Sequence, residues 1–170
     1  SLNLVVRGSS NLEESLKKEL ETQELIGDEQ YKTEEFGPQD ATVGTKFVTF
    51  PPILMIQLQR FEHNFQNNRN IKINDHFEYP EEIDLSPYLV TSSYQRKRNN
   101  TYILFAVIVH SGSAASGHYY TYIRPSFEEN KWYKFDDTKV TLANDYDAIK
   151  SNFGDTITSN GAKIDKNYSA

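Results

Sequence analysis

The sequence predicts an α+β domain built on a largely antiparallel sheet. Two observations predict it: β-prone stretches outnumber helical periods, and the links between them are short. Charged residues make up 25% of the chain and hydrophobic ones 37%, with 11 Tyr and 10 Phe to fill a core. With 8 Gly and 6 Pro, the composition excludes a collagen-like or low-complexity chain and argues against disorder. At 170 residues the size suits one domain, or one large piece of a bigger one.

A strand is predicted at Leu2–Val6, then a helix over about 11–20. Asn11 can cap its free amides and Glu14 can reach back toward the cap. Leu12, Leu16 and Leu20 give it an apolar stripe, and Lys17 and Lys18 follow the acids toward its end. Residues 22–45 are polar and read as irregular, with Gly27, Gly37, Pro38 and Gly44 as breakers. The run Ile53–Phe61 starts unbroken and apolar, as in a strand buried on both faces, and then alternates. An Asn-rich connection, 62–70, leads to a hairpin partner at Ile71–Asn74, and Phe77–Pro80 is a brief extended piece. Residues 91–100 read as a mobile surface loop. Tyr102–Val109 is apolar throughout and predicts a central strand; Tyr119–Arg124 and Lys131–Phe135 predict two more. A helix near Asp145–Asn152 ends at Gly154, which suits a left-handed stop.

Charge and cysteine content remove whole classes of function. A net charge of −6 and a pI near 5.2 argue against nucleic-acid binding and are compatible with a basic protein partner. No apolar stretch approaches the ~20 residues of a membrane span. No basic-then-apolar leader is visible at Ser1, so neither membrane residence nor secretion is expected and the cytoplasm or nucleus is the default. The chain contains no cysteine, which excludes disulfides, thiolate metal sites and a cysteine nucleophile within it.

Chemistry concentrates at 110–118. The predicted strand ends at His110, another begins near His118, and the seven residues between them are all Gly, Ala or Ser. A loop of such small residues can approach another backbone closely. If Tyr119–Arg124 and Lys131–Phe135 pair around a loop at 125–130, His118 stands opposite Asp137 and Tyr119 opposite Asp136. A one-residue bulge would bring Asp136 to His118 instead. A carboxylate beside an imidazole can fix its tautomer and stabilise its protonated form, which is half of a catalytic triad. Such a pair also occurs as plain structure, and the residues alone leave both readings open. Ser111, Ser113 and Ser116 sit on no strand-to-helix nucleophile elbow. The four histidines show neither an i, i+4 pair nor an H-E-x-x-H pattern, so no metal site is expected.

The order of motifs nevertheless resembles a family. Phe50-Pro51-Pro52-Ile53-Leu54 through Leu58-Gln59-Arg60-Phe61 resembles the strand L-P-P-V-L-x-x-x-L-x-R-F of the ubiquitin-specific proteases. Val109-His110-Ser111-Gly112, then Gly117-His118-Tyr119-Tyr120, then Trp132 to Asp137 resemble their histidine box. Residues 70–80 and the FGPQDA of 36–41 are closest to the branch typified by the herpesvirus-associated ubiquitin-specific protease.

The resemblance implies the palm and part of the fingers of an incomplete papain-like cysteine protease domain. Residues 1–80 would be fingers and palm, and 101–170 the palm with the histidine box. It implies cleavage of the isopeptide bond after the C-terminal glycine of ubiquitin, with no cofactor. His118 matches the general base and Asp136 the third triad member, with Asp137 as second choice. Loop 111–117, holding Gly112 and Gly117, resembles the loop over the channel for the ubiquitin tail, with His110 and Tyr119 at its borders; Gln59 and Phe61 match channel-lining positions. The nucleophile box has no counterpart here, so the chain looks like the C-terminal half of the catalytic domain. The implied partners are ubiquitin, ubiquitinated proteins and the N-terminal half of the same domain. By itself the chain is expected to be inactive.

Overall fold

In chain order, β1 (Leu2–Val5) leads into α1 (Leu12–Glu19). Next come β2 (Gln23–Leu25), β3 (Tyr31–Thr33), β4 (Gly37–Gln39) and β5 (Ala41–Val43), nested so that β2 pairs with β5 and β3 with β4. β6 (Ile56–Gln59) returns to lie parallel to β1, with Leu2 level with Ile56. β7 (Phe61–Asn64) and β8 (Arg69–Lys72) form a hairpin, and β9 (Glu82–Asp84) pairs with β10 (Thr101–Ile103). β11 (Ala106–Gly112), β12 (Gly117–Ile123), β13 (Trp132–Asp136) and β14 (Lys139–Ala143) form an antiparallel meander, followed by the single turn α2 (Asp145–Ala148). β15 (Thr156–Ser159) and β16 (Ala162–Asp165) form another hairpin. β17 (Tyr168–Ser169) joins the free side of β11, giving the sheet order β14-β13-β12-β11-β17. This computed structural model describes residues 1–90, 99–159, 162–165 and 168–170. Among them β1–β6 is the one parallel strand pair, so the α+β, mostly antiparallel class holds.

The first helix forms for the reasons its sequence gives. Asn11 is extended, and its Oδ1 accepts from the Glu14 amide at 2.9 Å. The Glu14 carboxylate reaches one residue further back than the capping pattern predicts. It accepts from the amide and the hydroxyl of Ser10, each at 2.8 Å, which with Lys18 holds its pKa down at about 2. Leu12 and Leu16 bury the apolar stripe.

Several expectations for the middle of the chain need correction. Residues 22–45 are not irregular: they hold the two nested pairs, whose three-residue strands are too short and polar to show an alternating pattern. Ile53–Met55 precede the strand rather than belong to it. Leu54, Ile56 and Leu58 turn toward the core while Ile53 is 71% and Met55 63% exposed, so only one face of that run is covered. The run 102–109 is two strands in different sheets, parted at Leu104-Phe105. There the Leu104 amide donates to the Glu81 carbonyl at 2.8 Å, and Arg124 binds both the Leu104 and Phe105 carbonyls. Of the loop predicted at 91–100, residues 91–98 lie outside the described residues, and Asn100 is buried.

Two cores result. One gathers Leu4, Val6, Leu12, Leu16, Ile73, Phe77 and Leu85. The other gathers Val107, Val109, Tyr122, Trp132, Ala148 and Ile149, and Tyr79 packs against both. Between them sits Arg60, 3% exposed. Its Nη1 donates to the carbonyls of Ile73 (3.2 Å) and Asp75 (2.9 Å), Nη2 to Phe153 (3.0 Å), and Nε to Ala170. Gly154, at φ +78°, lets the chain pass close by. A Cβ there would stand 2.8 Å from the Asp75 oxygen and 3.2 Å from Arg60 Nη1.

Two predictions follow from these contacts. Arg60→Lys loses the planar fork and strands buried carbonyls, each worth about 1–3 kcal/mol, so urea unfolding should show a loss of roughly 3 kcal/mol. Because folding lowers the Glu14 pKa from 4.5 to about 2, the stability it contributes is complete above pH 4.5 and is lost as pH falls toward about 2. Glu14→Gln should therefore lower the urea midpoint at pH 6, and the gap from the unmodified protein should close across that window.

Candidate active site

The small-residue segment is a tighter structure than its length suggests. β11 and β12 stay paired out to Ser111↔His118 and Gly112↔Gly117, so the loop is four residues, 113–116. Ser113 closes it, its amide donating to the Ser116 carbonyl at 2.8 Å. Gly112 is left-handed at φ +122°, and a Cβ there would meet the Ser116 oxygen at 2.6 Å. At Gly117 a Cβ would lie 2.1 Å from His110 Nε2, so any side chain at 117 displaces that ring.

Beside this hairpin lies a groove of about 470 Å3, lined by Phe61, Glu62, His63, Asn70, His110, Tyr119 and the segment 113–117. The His110 ring is wedged between Phe61, edge-on at 5.2 Å, and Tyr119 at 4.7 Å. It is 9% exposed and its Nδ1 is buried with no hydrogen-bond partner among the described residues. Burial, with the Lys72 cation nearby, lowers its pKa. Of the residues matched to the channel, Phe61, His110, Gly117 and Tyr119 line the groove. Gln59 and Gly112 do not. Gln59 points to solvent from β6, and Gly112 forms the hairpin neck.

The β12–β13 register differs by one residue from the one predicted. Thr121 pairs with Phe135, Tyr122 with Lys134 and Ile123 with Tyr133. The strands end at Ile123 and begin at Trp132, with left-handed Asn130 (φ +47°) shaping the loop between. A shift of one swaps faces. Continued along the strands, it brings Tyr120 level with Asp136, and His118 becomes the diagonal same-face neighbour of Asp136. His118 Nε2 and Asp136 Oδ1 are 2.6 Å apart. Asp137 is thereby displaced from the position opposite His118. It begins the turn into β14 at φ +51°.

One member of the site was missed in the sequence. Lys134 Nζ donates to Asp136 Oδ2 at 2.7 Å and lies 3.9 Å from the Tyr120 ring centroid. The i, i+2 spacing of Lys134 and Asp136 on one strand was the available signal. Lys134 first, and His118 second, hold the Asp136 carboxyl below the usual range. The side chain of His118 is 46% exposed, so the pair faces solvent. His118, Asp136 and Asp137 offer possible metal ligands within 4.8 Å of one another. The ammonium of Lys134 already occupies the place of a cation on Asp136.

Alternation along β12 separates two sets of residues. Gly117 and Tyr119 face the groove with His110, whereas His118 and Tyr120 project from the other side of the strand.

A profile of the family "Ubiquitin carboxyl-terminal hydrolase" matches residues 6–163. Ubiquitin carboxyl-terminal hydrolase 15 of Saccharomyces cerevisiae is 40% identical over 161 residues, covering 90% of this chain and 13% of that protein. Ubiquitin C-terminal hydrolase 12 of Arabidopsis thaliana is 41% identical over 157 residues, covering 90% of this chain and 14% of that one. This chain thus spans about a seventh of the length of such relatives. Among solved structures, a chain of the SAGA Ubp8/Sgf11/Sus1/Sgf73 DUB module bound to ubiquitin aldehyde superposes with a TM-score of 0.72 at 26% identity, over 86% of this chain and 32% of that chain. The sheet-rich fold is therefore that of part of a papain-like deubiquitinase domain. The chain belongs to the ubiquitin carboxyl-terminal hydrolase family.

Proposed function

We propose that this chain is the base-bearing, C-terminal half of a thiol-dependent ubiquitinyl hydrolase domain, of the branch typified by the herpesvirus-associated ubiquitin-specific protease. One observation carries the reading: an imidazole of a half-exposed histidine held 2.6 Å from a carboxylate whose own charge is secured by a lysine. Nε2–H donated to Asp136 leaves the lone pair on Nδ1. There it takes the proton of a thiol, and the thiolate adds to the carbonyl carbon of the C-terminal glycine of ubiquitin. The imidazolium returns the proton to the departing lysine amine as the C–N bond breaks. Water then cleaves the thioester, its proton passing through the same ring. Asp136 stays ionised throughout and fixes the ring. The reaction takes no cofactor.

On this reading the groove beside loop 113–116, with His110, Gly117, Tyr119 and Phe61, receives the tail of ubiquitin. Gln59 and Gly112 shape its approach and its rim. Residues to about 80 form fingers and palm, and those from about 101 the remainder of the palm. With no cysteine in the chain, the thiol comes from the N-terminal half of the domain. That half also covers Ile53, Met55 and Ile108, each more than half exposed here. The lack of cysteine equally fits a ubiquitin-binding module that has kept the fold without the chemistry, and the tests separate the two.

The chain alone is expected to give no turnover of ubiquitin–aminomethylcoumarin above buffer. Turnover that copurifies with it and disappears in His118→Ala would overturn the half-domain reading. Joined to a thiol-bearing half, it should hydrolyse that substrate. There His118→Ala should lower kcat by about 10^3-fold or more and Asp136→Asn by about 10^2-fold or more, with Asp137→Asn within about threefold of the original. Failure of the joined, folded protein to hydrolyse the substrate would leave the binding module.

A further inference from the structure

The groove lies between two hairpins, β7–β8 and β11–β12, and something must set the distance between them. Phe61 and Lys72 stand opposite each other in the first hairpin. Phe61 meets the second through the edge of the His110 ring, at 5.2 Å. Lys72 meets it through the backbone: Nζ donates to the His110 carbonyl at 2.8 Å and stands 3.5 Å from the Gly112 carbonyl. These two oxygens belong to the last residues of β11 before the loop, and Gly112 is left-handed there, where the backbone has most freedom. An apolar side chain could fill the same space without the penalty of drawing an ammonium out of water. That penalty is real: burial, with the Arg60 cation second, lowers the Lys72 pKa to about 8. Charge-assisted donation to backbone oxygens is directional, and oil-like packing is not.

We propose that Lys72 is a positioning residue, whose Nζ ties the neck of the loop-bearing hairpin to β8 and so fixes the spacing between the two walls of the groove. Only its catalytic consequence rests on the proposed function; the mechanical role stands on the contacts alone. The hairpin contacts leave the His118–Asp136 pair on the other side of β12, so Lys72 acts on tail binding and not on proton transfer.

Hydrogen–deuterium exchange of the full-length protein tests the mechanical role. In Lys72→Met, amides of residues 113–119 should exchange about tenfold faster or more, while those of Val107, Val109, Tyr122 and Trp132 keep their protection. Lys72→Arg, which keeps charge and donors, should restore the loop. Unchanged loop exchange in Lys72→Met overturns the proposal, as does a uniform loss across the sheet, which marks a merely structural residue. If Lys72→Met fails to fold, Lys72→Gln against Lys72→Arg decides in the same way: the neutral donor loosens the loop and the cation does not. In hydrolysis of ubiquitin–rhodamine, Lys72→Met should raise KM about tenfold with kcat within about twofold. A fall in kcat at constant KM would also overturn it. Absence of hydrolysis by the unmodified chain joined to a thiol-bearing half would sink the functional reading and leave exchange to judge Lys72.

Discussion

A single cation surrounded by carbonyl oxygens joins the parts of this chain. Arg60 sits between β6 and β7, and its fork gathers backbone oxygens from residues 73, 75, 153 and 170, which lie far apart in sequence. Ile73 belongs to the first core, while Phe153 and Ala170 pack on the second. The residue after Arg60 is Phe61, which walls the groove, and the residue before Ala170 is Ser169, which pairs with His110. The placement of the groove hairpins is thus inherited from this joint. All of these bonds go to backbone oxygens, so the joint depends on backbone conformation and on a residue without a side chain at 154.

The site is built from opposed demands on two histidines of adjacent strands. His110 is buried, wedged between aromatic rings and pushed toward its neutral form. His118 is half exposed, with a carboxylate at 2.6 Å. On the proposed function, one serves shape and the other moves a proton. Lys134 makes the second role durable, because a carboxylate shared between an ammonium and an imidazole keeps its charge when either is disturbed.

What the sequence revealed depended on how local each determinant was. The helix at 12–19 was readable because its cap, stripe and charges lie within nine residues. Three strands of the meander were readable because they are consecutive and rich in β-prone residues, while β14 at Lys139–Ala143 was not; the His–Asp pairing was readable because both residues fall near strand ends. The register was not readable: whether Arg124 and Lys131 belong to strand or loop turns on contacts with Leu104, Phe127 and Asn130 that no pattern in 119–136 encodes. The same residue explains the missed break at Leu104-Phe105, where a switch between sheets occurs without Gly or Pro. The parallel pairing of β1 with β6 was hidden for a similar reason, since it joins segments some fifty residues apart. Lys72 escaped notice because it serves backbone oxygens of another hairpin, and Lys134 because an i, i+2 pair of charges on one strand is common without a site.

The alternation along β12 has a consequence for how this hairpin can evolve. A slip of β12 by one residue against its neighbours would turn the strand over, presenting the imidazole to the groove and Tyr119 to the side of the carboxylate, whereas a residue added within 113–116 is taken up by the loop. On the proposed function, such a slip would cost recognition and chemistry together, with every side chain still present. The loop can therefore change in length while the pairing on both flanks of β12 keeps the two sets of side chains in phase.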